Sequence, residues 1–239
     1  MIFVRESLCR LANFENIYIE CFESRNGGNT YYESTRDVRG NKESAKCLFN
    51  IFNVNNDERV VGSINERKDK LRGKYDVIFG LRDIEGALYK KQSNGSSRDD
   101  AVVDRIIKEQ TSLLEEISEE IDTKICLCFS VMEIEAWFFG MKNFIKKLIT
   151  EKKTAEDAEN AIQEMQKKYS KPEEVLHPKG KLISFLKEND IVYSPSRDSL
   201  EGFFPCLEKK DLFELRENNA VPSFDQFIDE LIATNCFAS

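Results

Sequence analysis

Acidic residues stand at three places where an apolar run stops, and this spacing is the chain's clearest candidate for chemistry. Glu20 lies near the end of N-I-Y-I-E-C-F (16–22), with Glu23 three residues on. Asp83 and Glu85 follow K-Y-D-V-I-F-G-L-R (74–82), and Glu133 and Glu135 follow K-I-C-L-C-F-S-V (124–131). Hard divalent cations such as Mg2+ or Mn2+ take oxygen ligands, and carboxylates converging from separate strand ends can hold one. Paired metals held in this way activate a nucleophile and stabilise the leaving oxygen of a phosphodiester. The same placement has a plain structural alternative. Strand ends reach water, Asp caps the helix that follows, and carboxylates in a first helical turn meet the helix dipole favourably. For any one of the three clusters the structural alternative is the commoner outcome; the joint pattern is the more specific signal.

The basic residues nearby divide in the same way. Arg82 can pair a phosphate, or form a salt bridge to Glu85 or Glu133. Lys90 and Lys91, with Arg98, can steer nucleic acid, or simply be solvated loop charges. His177, before Pro178 in a turn, reads as a surface residue. Cys21 reads as strand packing, because no histidine lies near it in sequence to activate it.

These side chains need elements to position them. The segments 16–22, 74–82 and 124–131 read as strands, the last two as continuous apolar runs of the kind buried on both faces of a parallel sheet. A further strand is expected within 30–38. Turns or loops are expected at 24–29 and 92–100. Residues 41–52 place Ala45, Leu48, Phe49 and Phe52 at helical spacing. A helix or irregular connector is expected over 60–71, and a helix over 102–121 with Ile106, Leu113, Leu114 and Ile117 on one stripe. Residues 132–139 (M-E-I-E-A-W-F-F) read as the start of a helix in which Trp137, Phe138 and Phe139 are core. From Met141 the composition becomes charged and helical, through 142–169, a turn at 177–180, a short helix at 181–188 and a helical tail from Ser196 carrying Phe224, Phe227, Ile228 and Leu231 as a stripe. Strands alternating with helices imply an α/β fold with a parallel or mixed central sheet over 1–140, and a helical C-terminal region over 141–239 packed on it.

The whole-chain numbers bound what this fold can do. A chain of 239 residues with 41% hydrophobic and 33% charged residues is ordinary for a globular protein and long enough to bury a core without staples. No run approaches the ~18 apolar residues of a membrane span, and the first ten residues lack the pattern of a signal peptide, so no membrane partner and a cytoplasmic location are expected. The seven cysteines contain no CxxC pair and only one histidine accompanies them, so neither a disulfide framework nor a zinc site is expected. A net charge of −8 argues against broad, non-specific nucleic-acid binding; any grip on nucleic acid is focal or supplied by a partner.

Ile17-Tyr18-Ile19-Glu20, followed by Ile78-Phe79-Gly80-Leu81-Arg82-Asp83-Ile84-Glu85-Gly86, resembles the Toprim pattern of a strand ending in Glu and a later strand ending in Asp-x-Asp with Gly nearby. Val131-Met132-Glu133-Ile134-Glu135-Ala136-Trp137-Phe138-Phe139 resembles the Met-Glu-Ala-Trp-Phe signature of a Toprim-related bacterial family often encoded beside an ABC-type ATPase, in a context suggesting phage defence. The chain departs from the pattern in having Cys21 after Glu20, Glu85 for the second Asp, and Ile134 and Glu135 as an insertion. The resemblance implies a Toprim-like sheet and a nuclease dependent on Mg2+ or Mn2+. Its general acid/base would be Glu20, catalytic together with Asp83 and Glu85; its metal-binding carboxylates would be Glu20, Asp83, Glu85 and Glu133, with Glu133 or Glu135 supporting the site from the neighbouring strand. Arg82, Lys90 and Lys91 would meet the DNA or RNA. It also implies an antiviral effector working with an ATPase partner, with a homo-oligomer allowed. The departures keep a second reading open: a non-catalytic binding or regulatory subunit of an ATPase complex. A third, a small-molecule phosphotransferase or phosphatase, lacks a Gly-rich phosphate loop of the Walker type.

Overall fold

The computed structural model describes residues 2–11, 17–24, 32–54, 59–93, 97–194, 202–218 and 220–234. Most of the turn expected at 24–29, the middle of the 92–100 loop and the start of the tail from Ser196 lie outside them. The architecture is mixed α/β with a helical C-terminal region. The chain divides into two compact units, residues 12–130 with 226–239, and residues 2–11 with 131–225.

The first unit carries the strands. β1 (Ile17–Ser24) runs between β2 (Tyr32–Gly40), antiparallel to it, and β3 (Cys47–Asn53), parallel to it. Its alternation is clean: Ile17, Ile19 and Cys21 are fully buried, while Tyr18, Glu20 and Phe22 form the other, half-buried face. The β1–β2 ladder is irregular between Glu20 and Phe22, opposite the stretch of β2 where Arg36 takes φ 61°. Gly40 closes this ladder at φ +80°, where a Cβ would lie 2.0 Å from the Ile17 carbonyl oxygen, so glycine is required. β4 (Val77–Asp83) and β5 (Lys124–Ser130) form a parallel pair, in register from Val77 opposite Lys124 to Asp83 opposite Ser130.

Helices α2 (Arg59–Leu71) and α4 (Asp100–Ile121) pack with this pair through Val60, Val61, Ile64, Leu71, Leu114, Ile117 and Ile121. The stripe on α4 follows the expected helical period, except that Leu113 is 40% exposed. The carboxylate of Asp99 caps α4 by accepting from the Val102 N–H at 3.1 Å. Gly80 lets α2 approach β4, since a Cβ there would sit 2.8 Å from Leu127 Cδ1 and 2.9 Å from Val60 Cγ1.

Two sequence expectations change. Residues 47–53 are a strand, where helical spacing over 41–52 suggested a helix. Ala45, Leu48, Phe49 and Phe52 do fit a helical face, but Cys47, Phe49 and Ile51 also alternate with Leu48, Asn50 and Phe52. Pairing with β1 gives that backbone its hydrogen bonds and leaves Leu48 at 55% exposure. The single parallel or mixed central sheet expected over 1–140 would make the strands near Ile19, Ile78 and Leu127 members of one sheet. Ile78 and Leu127 are on paired strands, but Ile19 belongs to the three-stranded sheet, and among the described residues no ladder joins the two sheets.

The second unit is helical: α1 (Ile2–Leu11), α5 (Glu135–Gly140), α6 (Lys142–Thr150), α7 (Ala155–Lys168), α8 (Pro178–Glu188), α9 (Lys209–Asn218) and the start of α10 (Pro222–Ile232). Trp137, Phe138 and Phe139 are core as expected. Phe3 meets Trp137, Phe138 and Phe204 at ring separations of 5.8, 5.4 and 5.7 Å, and the Trp137 indole N–H donates to Ser223 Oγ at 2.8 Å. The fully buried Asp211 accepts from the Lys147 ammonium at 2.7 Å and from the Glu208 N–H at 2.8 Å. Among the described residues no helix is long and apolar enough to cross a membrane.

Gly80→Val should lower stability by about 1–3 kcal/mol, because the added side chain overpacks the contact of α2 with β4 and β5. Urea unfolding checks this as a lower midpoint at unchanged slope.

Candidate functional site

The carboxyl ends of parallel strands are where open α/β sheets place their ligands, and in the first unit that is the end of β4 and β5. Asp83 and Ser130 are register partners there, so their side chains leave the same face of the pair. The ladder runs one step further: the Ile84 N–H donates to the Ser130 carbonyl at 3.0 Å. This bond carries the chain inward after Asp83, and Ile84 and Glu85 are buried. The Lys90 ammonium, on the exposed side of the short helix α3 (Ala87–Gln92), stands 3.9 Å from Glu85 Oε1. Lys91 is exposed. The Ser130 hydroxyl is buried and has no hydrogen-bond partner among the described residues. A buried hydroxyl in that state asks for a water, an ion or a ligand group.

α3 starts at Ala87, and its N-cap is Gly86, which has no side chain to cap it. Arg82, the neighbour of Asp83 on the opposite face, is 1% exposed and donates to Gln110 Oε1 on α4 at 3.0 Å. That places its guanidinium in the interior beside α4.

Glu20 is on β1, half-buried, with the Tyr18 hydroxyl donating to its Oε2 at 3.3 Å. Burial and the adjacent Glu20 charge push the Tyr18 phenol above its ordinary range. Glu133 and Glu135 belong to the second unit, and there each has a structural partner. Glu133 Oε2 accepts from the Lys179 N–H at 3.0 Å in the first turn of α8, whose N-cap is His177 at φ 51° with no capping side chain of its own. Glu135 Oε1 accepts from the Tyr193 hydroxyl at 3.0 Å, and burial raises its pKa above the ordinary carboxylate range. The Glu133 contact is one of a set. Glu173 caps the start of α10 at the Ser223 N–H, 2.8 Å, and Glu214 caps α6 at the Asn143 N–H, 3.2 Å. These are helix ends satisfied by carboxylates remote in sequence.

Among the described residues, no group of three or more His, Cys, Asp or Glu side chains is placed to hold a metal ion. What the strand ends offer is Asp83 in register with Ser130, whose hydroxyl has no hydrogen-bond partner among the described residues, and Glu85 two residues on. All are oxygen donors. Such a set suits Mg2+, which keeps several waters and takes one or two carboxylates together with substrate phosphates. Ser130 is the residue that sequence reasoning missed. A serine closing an apolar strand carries no sequence signal; only its burial without a partner marks it.

Cys126 and Cys128 are buried on one face of β5, as their alternation implied. Burial pushes their thiols up to about 11 and about 12, with a hydrogen bond from Cys126 to Glu230 Oε2 at 3.1 Å contributing to the first. Cys47 is disulfide-bonded, a single exception to the expectation of no disulfide framework.

The chain matches no protein-family model, no curated protein and no solved structure.

Glu135 carries a test of the structural account of its carboxylate. Its folded pKa is raised, so the folded state holds this proton more tightly than the unfolded chain. Stability from this group is therefore lost as pH rises from the ordinary value of 4.5 through the raised folded value. Glu135→Gln keeps an acceptor for Tyr193 and removes the buried charge. It should match or exceed wild-type stability at neutral pH, with the difference vanishing below pH 4.5. Urea midpoints measured across pH read this directly.

Proposed function

We propose that this chain is a divalent-metal-dependent phosphodiester hydrolase acting on nucleic acid, with its reaction centre at the carboxyl ends of β4 and β5. The observation that carries the reading is the buried Ser130 hydroxyl, in register with Asp83 and without a hydrogen-bond partner among the described residues. Asp83 and Glu85 would hold the ion, and the Ser130 hydroxyl would orient one of its waters or a carboxylate oxygen. A bound divalent ion polarises the phosphoryl oxygen and lowers the pKa of bound water. Lys90, exposed and beside Glu85, offers a positive charge to the substrate phosphate. Hydrolysis adds one water across a P–O bond and yields a phosphate monoester and an alcohol. The resemblance to Toprim-related proteins in the stretch 78–86 points the same way, and extends the proposal to a defence effector working with an ATPase. Glu20, on the other sheet, and Arg82, turned to Gln110, have no assigned step.

A second reading, a non-catalytic binding or regulatory subunit, is favoured by Glu133 and Glu135, whose contacts with Lys179 and Tyr193 are those of structural residues.

Two measurements on the purified protein separate these readings. Mg2+ should raise the wild-type melting temperature with concentration, by mass action, and labelled DNA or RNA should be cleaved only in its presence. Asp83→Ala should abolish both effects while remaining folded, and Ser130→Ala should weaken the Mg2+ response. A wild type whose melting ignores Mg2+ and which cleaves nothing defeats the hydrolase and leaves the binding subunit ahead.

A further inference from the structure

The outward face of the three-stranded sheet in the first unit is built unlike a surface that only meets water. Register places Tyr18 beside Leu48 on β3 and Gly40 on β2, Glu20 beside Asn50 and Val38, and Phe22 beside Phe52. Leu48 and Val38 are 55% and 37% exposed, and Tyr18, Phe22 and Phe52 are half-buried. Gly40 has no side chain to cover the flank of the Tyr18 ring. Toward the other end of the face, Phe22 stacks on Phe52 at 4.9 Å and Tyr32 meets Phe52 edge-on at 5.3 Å.

Two cations stand over these rings. The Arg67 guanidinium lies 4.3 Å from the Phe52 centroid and 4.6 Å from that of Tyr32, and the Lys42 ammonium lies 5.7 Å from the Tyr18 centroid. Among the described residues neither cation is in an ion pair, although the chain carries 43 acidic residues to 35 basic. Between the rings, Glu20 and Asn50 present acceptors side by side. The Asn50 amide donates through Nδ2 to the Tyr75 hydroxyl at 3.1 Å, which turns its Oδ1 to the acceptor role.

We propose that this face is a platform for single-stranded nucleic acid: bases stack on Tyr18 and the Phe22 cluster, phosphates meet Lys42 and Arg67, and base amino groups donate to Glu20 and Asn50. The inference takes its ligand class from the nucleic-acid reading above and its location from the sheet. Rings that accept any base, combined with cations that track a backbone, are the composition of single-strand binding surfaces. A guanidinium stacked on a ring keeps its N–H edge for phosphate. Paired acceptors favour the bases that present an exocyclic amino donor, adenine, cytosine and guanine, over those that do not. Thymine and uracil place their single N–H donor between two carbonyl oxygens that a carboxylate repels. A duplex hides both the faces and the edges of its bases, so the platform discriminates against it. The grip is local, as an acidic chain requires.

Fluorescence anisotropy with the full chain in EDTA tests this without hydrolysis, using labelled oligo(dA), oligo(dC), oligo(dT) and a duplex of equal length. Oligo(dA) and oligo(dC) should bind more tightly than oligo(dT), and the duplex most weakly. Tyr18→Ala should weaken single-strand binding roughly tenfold, within the range for losing one stacked base, while Tyr18→Phe should retain it. Arg67→Gln should weaken binding and flatten its salt dependence. Circular dichroism melts establish that each variant is folded. Absence of single-strand binding by wild type, equal affinity of folded Tyr18→Ala, or preference for duplex overturns the platform, as does a stable dimer that Leu48→Glu dissociates. Mg2+-dependent cleavage unaffected by Tyr18→Ala also overturns it and leaves the hydrolase standing. Binding with the stated variant pattern and no cleavage sustains the platform and sinks the hydrolase.

Discussion

The closeness of α2 to β4 is the constraint on which the candidate site depends. Gly80 is the middle of a strand whose other residues are large, and its missing Cβ is the space into which Val60 and Leu127 fit. Around that contact α2 and α4 bury the apolar cluster from Val60 to Ile121, each such side chain worth roughly 1.5–3 kcal/mol when fully withdrawn from water. A packed interior does not deform smoothly, so β4 and β5 are held at one separation and one register. That register puts Asp83 opposite Ser130, and the extra ladder bond from Ile84 to the Ser130 carbonyl brings Glu85 inward. The chemistry proposed for the strand ends thus follows from a packing requirement several residues away.

The acidic residues illustrate how position, rather than count, decides what a charge does. In the helical unit, three helices start without a Ser, Thr, Asp or Asn cap of their own that reaches back to them. Glu133, Glu173 and Glu214 arrive from elsewhere in the chain to accept from Lys179, Ser223 and Asn143. Each contact satisfies an orphan N–H and places negative charge at the positive end of a helix dipole. Lys147 gathers Asp211 and Glu208 in the same unit. Burial opposes its charge, and the two carboxylates outweigh burial and raise its pKa, while Glu208, held by Lys210 and Lys147, falls to about 2. An overall charge of −8 therefore says little about any one site, and it leaves room for a face where Arg67 and Lys42 stand over rings with no carboxylate paired to them among the described residues.

The two proposals for the first unit rest on different features. At the strand ends of β4 and β5 they are oxygen donors and a nearby ammonium, for the proposed chemistry at a phosphate. On the outward face of β1–β3 they are rings, cations and acceptors, for the proposed recognition without chemistry. They are built from different sheets, and nothing in the residues of one is shared with the other.

The amino-acid sequence by itself determined the elements whose periodicity is unambiguous. The apolar runs ending at Asp83 and Ser130 read as strands, the α4 stripe as a helix and Trp137 to Phe139 as core, and the structure has each of them so. The sequence also marked Asp83 and Glu85 as strand-end carboxylates. Tertiary structure decided the rest. Residues 47–53 fit both a helical and a strand period, and pairing with β1 settled which. Glu133 looks the same in sequence whether or not it meets a helix N-terminus, and only the fold brings the first turn of α8 to its Oε2. Arg82 turned inward because Gln110 on α4 was there to receive it. Ser130 became a candidate only through a burial that left its hydroxyl without a partner, and Tyr18 only because the residue opposite it is glycine. Hydrogen-bond satisfaction and exposure are properties of neighbours distant in the chain, so local sequence does not contain them.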